Sequence, residues 1–367
     1  MSCVAACSSR RIFVKCFAVL IAVHVAAYII YVNYPNIANT GAIYSGKIYK
    51  HFFVNVAHNS TFSVTNQSRP TESDARIKHV IPYLRQVNAS RRIKRRFEFS
   101  SRCGGVCDDK VGLVVIVTTS VTNVERREAI RNTWASTAVL NSNSVPVRFC
   151  FIVGTVSDEK PMKALRTESQ SHGDIIQANF VDTYRNLTMK SLALLEWVDR
   201  FCPAVKFVLK SDDDTLVNVS LLLREINKVR ASSFFFCRVH SGAPVVRNKN
   251  DKWFVSLAEY RGIHYPTYCS GSAYSLTGDI VRDLLEKSLE SPLFWLEDVY
   301  ISGILPRKIN VNHVSTSLMH FWREDPEPCS LRHQIVSHRI TAQELIKVWK
   351  QIHDPQLSCP IQKTQPA

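Results

Sequence analysis

The chain has 367 residues, 46 of them Lys or Arg and 31 Asp or Glu, for a formal net charge of +15. That surplus invites a nucleic-acid partner, but residues 1–102 hold 15 Lys/Arg against 3 Asp/Glu, while the remainder is nearly balanced at 31 against 28. The charge belongs to an N-terminal extension, no zinc-finger or helix-turn-helix spacing accompanies it, and nucleic-acid binding is set aside.

In chain order, residues 1–11 read as a short cytosolic tail. Ile12 to Val32 is an apolar run broken only by Lys15 and His24, long enough as a helix to span the roughly 30 Å hydrocarbon core. Arg10, Arg11 and Lys15 keep the tail on the cytosolic side, so the rest of the chain crosses. A cleaved signal peptide ending at Val25-Ala26-Ala27 is the alternative; the apolar run continues past it to Val32, which favours an uncleaved anchor. Residues 33–102 are polar and without periodicity, a lumenal stem. Its densest charge, Arg91 to Arg96, is a solvated face or a dibasic processing site. Glycosylation sequons begin at Asn59, Asn66 and Asn88, and two more at Asn186 and Asn218. Cys3, Cys7 and Cys16 precede or enter the anchor; the other eight cysteines, an even number in an oxidising compartment, are expected to pair, with 105 connectivities open. Cys103 and Cys107 are too widely spaced for a zinc motif.

The remaining residues, 103–367, read as one folded domain. Val111–Val117 is a continuous β-branched run expected as a buried strand. Glu125–Trp134 has helical spacing, Val147–Val153 is a second strand, a polar helix follows, and Asp174–Gln177 is a short third strand. Leu187–Phe201 is an amphipathic helix with Leu187, Leu194, Leu195 and Val198 on its core face. Val205–Leu209 is another buried strand. Strands alternating with helices predict an α/β domain with a doubly wound, largely parallel sheet.

Directly after that last strand come Ser211-Asp212-Asp213-Asp214-Thr215. Carboxyl ends of strands in open α/β sheets are where ligand crevices form, and three adjacent carboxylates repel one another unless a cation or positive donors compensate. Such a cluster suits a hard divalent ion such as Mg²⁺ or Mn²⁺. The bland reading makes one of these residues the N-cap of a helix starting near Leu216, which accounts for one acid and leaves two. A metal-diphosphate site is the stronger reading.

Beyond it, Tyr265-Pro266-Thr267-Tyr268-Cys269-Ser270-Gly271-Ser272-Ala273-Tyr274 mixes aromatics with a small-residue turn, suited either to flanking a sugar or to simple packing. Glu297 and Asp298 head a helix-like segment, where acids serve as first-turn caps or, beside a metal, as a general base. His338 precedes a helix over Ile340–Ile352, as a surface residue or a reach toward the metal.

Together these residues resemble the β-1,3-galactosyltransferase family (glycosyltransferase family 31) from about Val111 to Cys359. Arg126-Arg127-Glu128-Ala129-Ile130-Arg131-Asn132-Thr133-Trp134 is similar to its R-x-x-I-R-x-T-W helix. Phe151-Ile152-Val153-Gly154 matches its second strand, Asp182 to Lys190 its D-x-Y-x-N-L-T-x-K segment, and Lys210 with Asp212-Asp213-Asp214 its K-x-D-D-D element. Tyr265 to Tyr274 resembles its Y-P-x-Y-C-S-G-x-G-Y loop, and Glu297-Asp298-Val299-Tyr300 its E-D-V-Y segment. The resemblance implies a Golgi membrane, single-pass type II enzyme of GT-A fold that uses a UDP-sugar and Mn²⁺. It would transfer a hexose, foremost galactose, with inversion to the 3-hydroxyl of a glycan acceptor on protein or lipid. It assigns Asp298 as base and Asp214 with His338 as metal ligands. Asp212, Asp213, Arg127, Arg131 and Lys190 would contact the nucleotide sugar, and Tyr265, Gly271, Tyr274 and Glu297 the acceptor or sugar pocket. Ala273 and Ala135 stand where the family usually has glycine, which bears on donor and acceptor identity. Transfer of N-acetylgalactosamine or N-acetylglucosamine is the nearest alternative. A non-catalytic lumenal glycan-binding protein on the same scaffold is a further one, opposed by the intact acids.

Overall fold

A computed structural model describes residues 97–359, apart from 106, 142, 144, 324 and 325. The proposed tail, the anchor over 12–32, most of the stem and the sequons at Asn59, Asn66 and Asn88 lie outside the described residues. No helix among the described residues is long and apolar enough to cross a membrane.

Eleven strands are present among the described residues: β1 Phe99–Arg102, β2 Leu113–Thr118, β3 Val147–Thr155, β4 Ile175–Val181, β5 Phe207–Asp212, β6 Thr215–Val217, β7 Phe234–His240, β8 Tyr268–Thr277, β9 Asn312–Ser315, β10 Met319–Arg323 and β11 Val336–His338. The principal helices are α1 Val124–Arg131, α2 Glu159–His172, α3 Leu187–Phe201, α4 Val219–Ile226, α5 Val281–Leu289 and α6 Ala342–Ile352. Eight strands form one sheet in the order β1-β4-β3-β2-β5-β8-β7-β9, and β10-β11-β6 form a second. All six residues of β2 are buried, as expected of a strand covered on both faces. The buried apolar side of α3, including Leu194, Leu195 and Val198, belongs to the same core.

The sheet departs from the largely parallel expectation. β4, β3, β2 and β5 are mutually parallel, but β8 runs antiparallel to both β5 and β7, and β1 antiparallel to β4. The fold is mixed α/β. The reason lies in the connections: helices α2 and α3 carry the chain back between parallel strands, whereas no regular helix separates β7 from β8. β1 falls in the segment read as stem; Phe99 and Arg102 pair with Ala178 and Ile176, so folded structure reaches back at least to Phe97, itself buried.

Two local expectations are corrected. No helix begins near Leu216: Thr215–Val217 is a strand because β11 pairs with it, and α4 starts at Val219 with Asn218 as its cap, accepting from the Leu221 N–H at 3.0 Å. The small-residue stretch Ser270-Gly271-Ser272 is not a turn but the interior of β8.

All eight cysteines of the domain pair, as Cys103–Cys150, Cys107–Cys202, Cys237–Cys269 and Cys329–Cys359. Cys237–Cys269 staples β7 to β8 just ahead of Gly271. Replacing both its cysteines by serine is expected to lower the unfolding free energy by about 3.7 kcal/mol, the loop-closure contribution of a crosslink of this span; chemical denaturation under oxidising conditions checks it, and an unchanged midpoint would deny the staple any role.

Candidate active site

The acidic triplet occupies the tight passage from β5 into β6, at the carboxyl ends of the parallel strands. Its three carboxylates have different neighbours. Asp213 turns toward the N-terminal half, where its Oδ2 accepts from Thr119 Oγ1 at 2.6 Å and Asn123 Nδ2 at 2.7 Å, and its Oδ1 faces Arg126 at 3.3 Å. Burial nonetheless raises its pKa. Asp212 Oδ1 accepts from Lys210 Nζ at 2.6 Å and Thr118 Oγ1 at 2.9 Å. Asp214 Oδ1 lies 3.3 Å from His338 Nε2.

His338 is brought there by strand pairing: it sits opposite Thr215 in the β11–β6 register, and Ile340 N–H donates to the Asp214 carbonyl at 2.9 Å. Its Nδ1 lies 2.8 Å from the Phe321 carbonyl and donates to it, which directs Nε2 at the acids. Burial lowers the imidazole pKa, but the Asp214 carboxylate outweighs it and the value is raised; burial likewise raises the Asp214 carboxyl, and His338 overcomes it to hold that value down. One ligand atom each from Asp212, Asp214 and His338 falls within 4.8 Å of the others. Two carboxylates and an imidazole aimed at a common point form a donor set able to hold a divalent cation. Of the acids in the triplet, Asp212 joins Asp214 in that set, while Asp213 is taken up by its three donors.

The second acidic element meets the first through Lys210. Its buried ammonium also donates to the Gly271 carbonyl at 2.5 Å and lies 3.7 Å from Glu297 Oε2. Burial lowers its pKa, yet Asp212 and Glu297 more than compensate and the ammonium is held well above its ordinary value. Glu297 is buried and accepts from Ser191 Oγ and Tyr274 Oη, both at 2.6 Å. The next residue, Asp298, begins the same helical turn, its Oδ1 accepting from the Val299 N–H at 2.8 Å. Burial, reinforced by the Glu297 charge, pushes its pKa up to about 7. A carboxyl poised near neutrality beside a ligand crevice has the properties of a general base. Gly271 packs closely here: a Cβ on it would come within 3.1 Å of Asp298 Oδ2, so the carboxyl would have to give by a few tenths of an ångström.

Several residues expected at the substrate have partners within the protein. Arg127 is fully buried, its guanidinium bonded to Glu168 and to the Ser120 and Val121 carbonyls. Arg131 pairs with Asp174 and Glu168. Trp134 Nε1 donates to the Thr215 carbonyl at 3.0 Å. The R-x-x-I-R-x-T-W segment thus braces the loop after β2 and the strand after the acids. Lys190 is buried between Asp182 Oδ1 at 2.8 Å and the Thr119 carbonyl. Tyr274 and Glu297 are internal struts. Tyr265 is buried against Tyr260 and Phe294 and lines a separate cavity of about 490 Å³ with His264, Arg307 and His313, to which none of the acids contributes. Asn186 Nδ2 donates to the Val181 carbonyl at 2.8 Å.

Two site residues carry no role in the sequence reading. Lys210 stands out in retrospect as a lysine inside an apolar strand. Arg126, half-exposed beside Asp213 and 3.8 Å from Asp214, is the guanidinium that faces the acids; an arginine doublet gives no clue which member does so.

A mixed α/β fold with a donor set able to hold a cation and a separate carboxyl of raised pKa is compatible with a glycosyl-transferring enzyme. The chain belongs to the Galactosyltransferase family, which it matches over residues 125–317. Over 200 residues it is 38% identical to Beta-1,3-galactosyltransferase 5 of Homo sapiens, covering 54% of this chain and 64% of that protein. It is 31% identical over 257 residues to Beta-1,3-galactosyltransferase 1 of Mus musculus, covering 69% and 78% respectively. The chain thus spans just under two thirds of the human relative's length.

Proposed function

We propose that the chain is an inverting β-1,3-hexosyltransferase of GT-A type, moving galactose from a UDP-sugar to the 3-hydroxyl of a glycan acceptor. Family membership supports the chemistry. The observation that carries it is Lys210, a buried cation that touches both Asp212 of the candidate cation set and Glu297, the neighbour of Asp298, which supports the two acidic elements acting together. Asp298 takes the proton of the attacking hydroxyl, and the oxygen closes on the anomeric carbon from the face opposite the departing diphosphate. Lys210 keeps Glu297 and Asp212 from pushing Asp298 further toward its neutral form. Arg126 offers a cation at the diphosphate end.

Asp212, Asp214 and His338 fit Mn²⁺, which when bound supplies positive charge against the leaving group. Asp213 and Lys190 act through the loop after β2 rather than by direct contact. The eight paired cysteines, the sequons and the apolar run at 12–32 support a type II Golgi membrane location with the domain lumenal. Asp214→Ala is expected to abolish Mn²⁺-dependent UDP binding, a drop of at least a hundredfold by calorimetry; retained metal-dependent binding would remove Asp214 from the ligand set.

A further inference from the structure

The residues first expected to hold the acceptor, Tyr274 and Glu297, are sealed in the core, which leaves the sugar presented to Asp298 without a platform. Three other aromatic residues meet from separate segments, one of them just ahead of Asp298. Tyr184 begins the turn after β4, Trp253 lies in the connection between β7 and β8, and Trp295 is three residues ahead of Asp298. Tyr184 is 51% and Trp253 42% exposed, and Trp253 Nε1 donates to Tyr184 Oη at 3.2 Å. Ring centroids of Tyr184 and Trp295 are 6.3 Å apart. The Arg185 guanidinium lies 3.9 Å from the Trp295 ring centroid and 3.5 Å from Glu259, locking the three segments together.

Single exposed aromatics are ordinary on a protein surface. Here two exposed rings are hydrogen-bonded to each other, and an ion pair between Arg185 and Glu259 joins the segments that carry them, so the rings are brought together without a ligand. Trp295, in ring contact with Tyr184 and three residues ahead of Asp298, ties the platform to the segment that carries the carboxyl. Resting on the transferase reading above, we propose that Tyr184 and Trp253, braced by Trp295 and Arg185, form the acceptor subsite, stacking on the apolar face of a pyranose whose 3-hydroxyl points at Asp298. An aromatic face next to hydrogen-bonding edges suits such a ring, with its one side of C–H groups and its equatorial hydroxyls.

The test separates this subsite from the reaction itself. Methyl β-galactoside and methyl β-N-acetylglucosaminide are titrated against the whole protein by saturation-transfer NMR, with UDP and Mn²⁺ present. At least one glycoside is expected to bind with saturation concentrated on one ring face, Trp253→Ala to weaken it about tenfold, and Trp253→Phe to restore most of the loss. UDP affinity and unfolding temperature should stay at wild-type values, since Trp253 is a surface residue. In transfer assays Trp253→Ala should raise the acceptor KM and leave the donor KM within about twofold. Binding of neither glycoside, equal binding by the variant, or a matching rise in donor KM would overturn the subsite. Glycoside binding that depends on Trp253 without any sugar transfer by wild type would instead overturn the transferase reading and keep the subsite.

Discussion

Asp298→Asn should lower the transfer rate about a thousandfold, within the range for removal of a general base, while UDP affinity with Mn²⁺ stays within about twofold of wild type. The amide is nearly isosteric and can still accept from the Val299 N–H through its carbonyl oxygen, so the turn is preserved. What it loses is the ability to take a proton. Steady-state kinetics beside UDP calorimetry measures the two quantities, and wild-type turnover in the variant would exclude Asp298 from the mechanism.

The same carboxyl sets the pH dependence. Burial and the Glu297 charge raise it from an ordinary 3.8 to about 7, so the competent, ionised form appears as pH rises through 7. The rate limb attributable to Asp298 should climb there and be missing from the residual activity of the asparagine variant. Stability moves the opposite way. Between about pH 4 and pH 7 the folded state keeps a proton that the unfolded state has released, so stability falls with rising pH across that window. Above it wild type carries an ionised, poorly solvated carboxylate that Asp298→Asn lacks. The variant should therefore melt higher than wild type at pH 8, with the gap closing toward pH 4; a variant less stable at pH 8 would contradict the burial argument.

The largest structural effect is expected at Lys210. Removing one partner of a buried charge group leaves the others uncompensated, which costs about 3–5 kcal/mol. Lys210→Met keeps the length and apolar stem but strips the cation from Asp212 at 2.6 Å and Glu297 at 3.7 Å. The Gly271 carbonyl also loses its donor, beside the base. Urea denaturation should show the loss, and Glu297→Gln in the same chain should recover a good part of it by removing the orphaned anion. Additive losses in the double variant would mean that the lysine and Glu297 are not coupled.

The site was legible wherever its signal was local. Three consecutive acids after an apolar strand mark their own position, because strand burial and like-charge repulsion both act within a few residues. The strands and helices from Val111 through Leu209 followed from period and β-branching for the same reason. The protein partners of the other expected site residues were not legible. The arginines of α1, Lys190, Tyr274 and Glu297 have the residue types of a binding site, but which protein groups they meet is decided by packing, with partners from eight to more than a hundred residues away. Glu168, Asp174, Asp182 and Ser191 supplied those partners. Thr215–Val217 became a strand for the same reason: its partner strand lies more than a hundred residues away.

Sequence alone determined the kind of chemistry: carboxylates for a cation, a separate carboxyl for a proton, and the family motifs in order. Tertiary structure decided which of these groups meet. Pairing of β11 with β6 carries His338 to Asp214, and Lys210 links Asp212 of its own strand to Glu297 in a distant helical turn. Residue type fixes charge and donor character at a position, whereas burial and contact distance, which set pKa and exposure, arise only when distant segments pack.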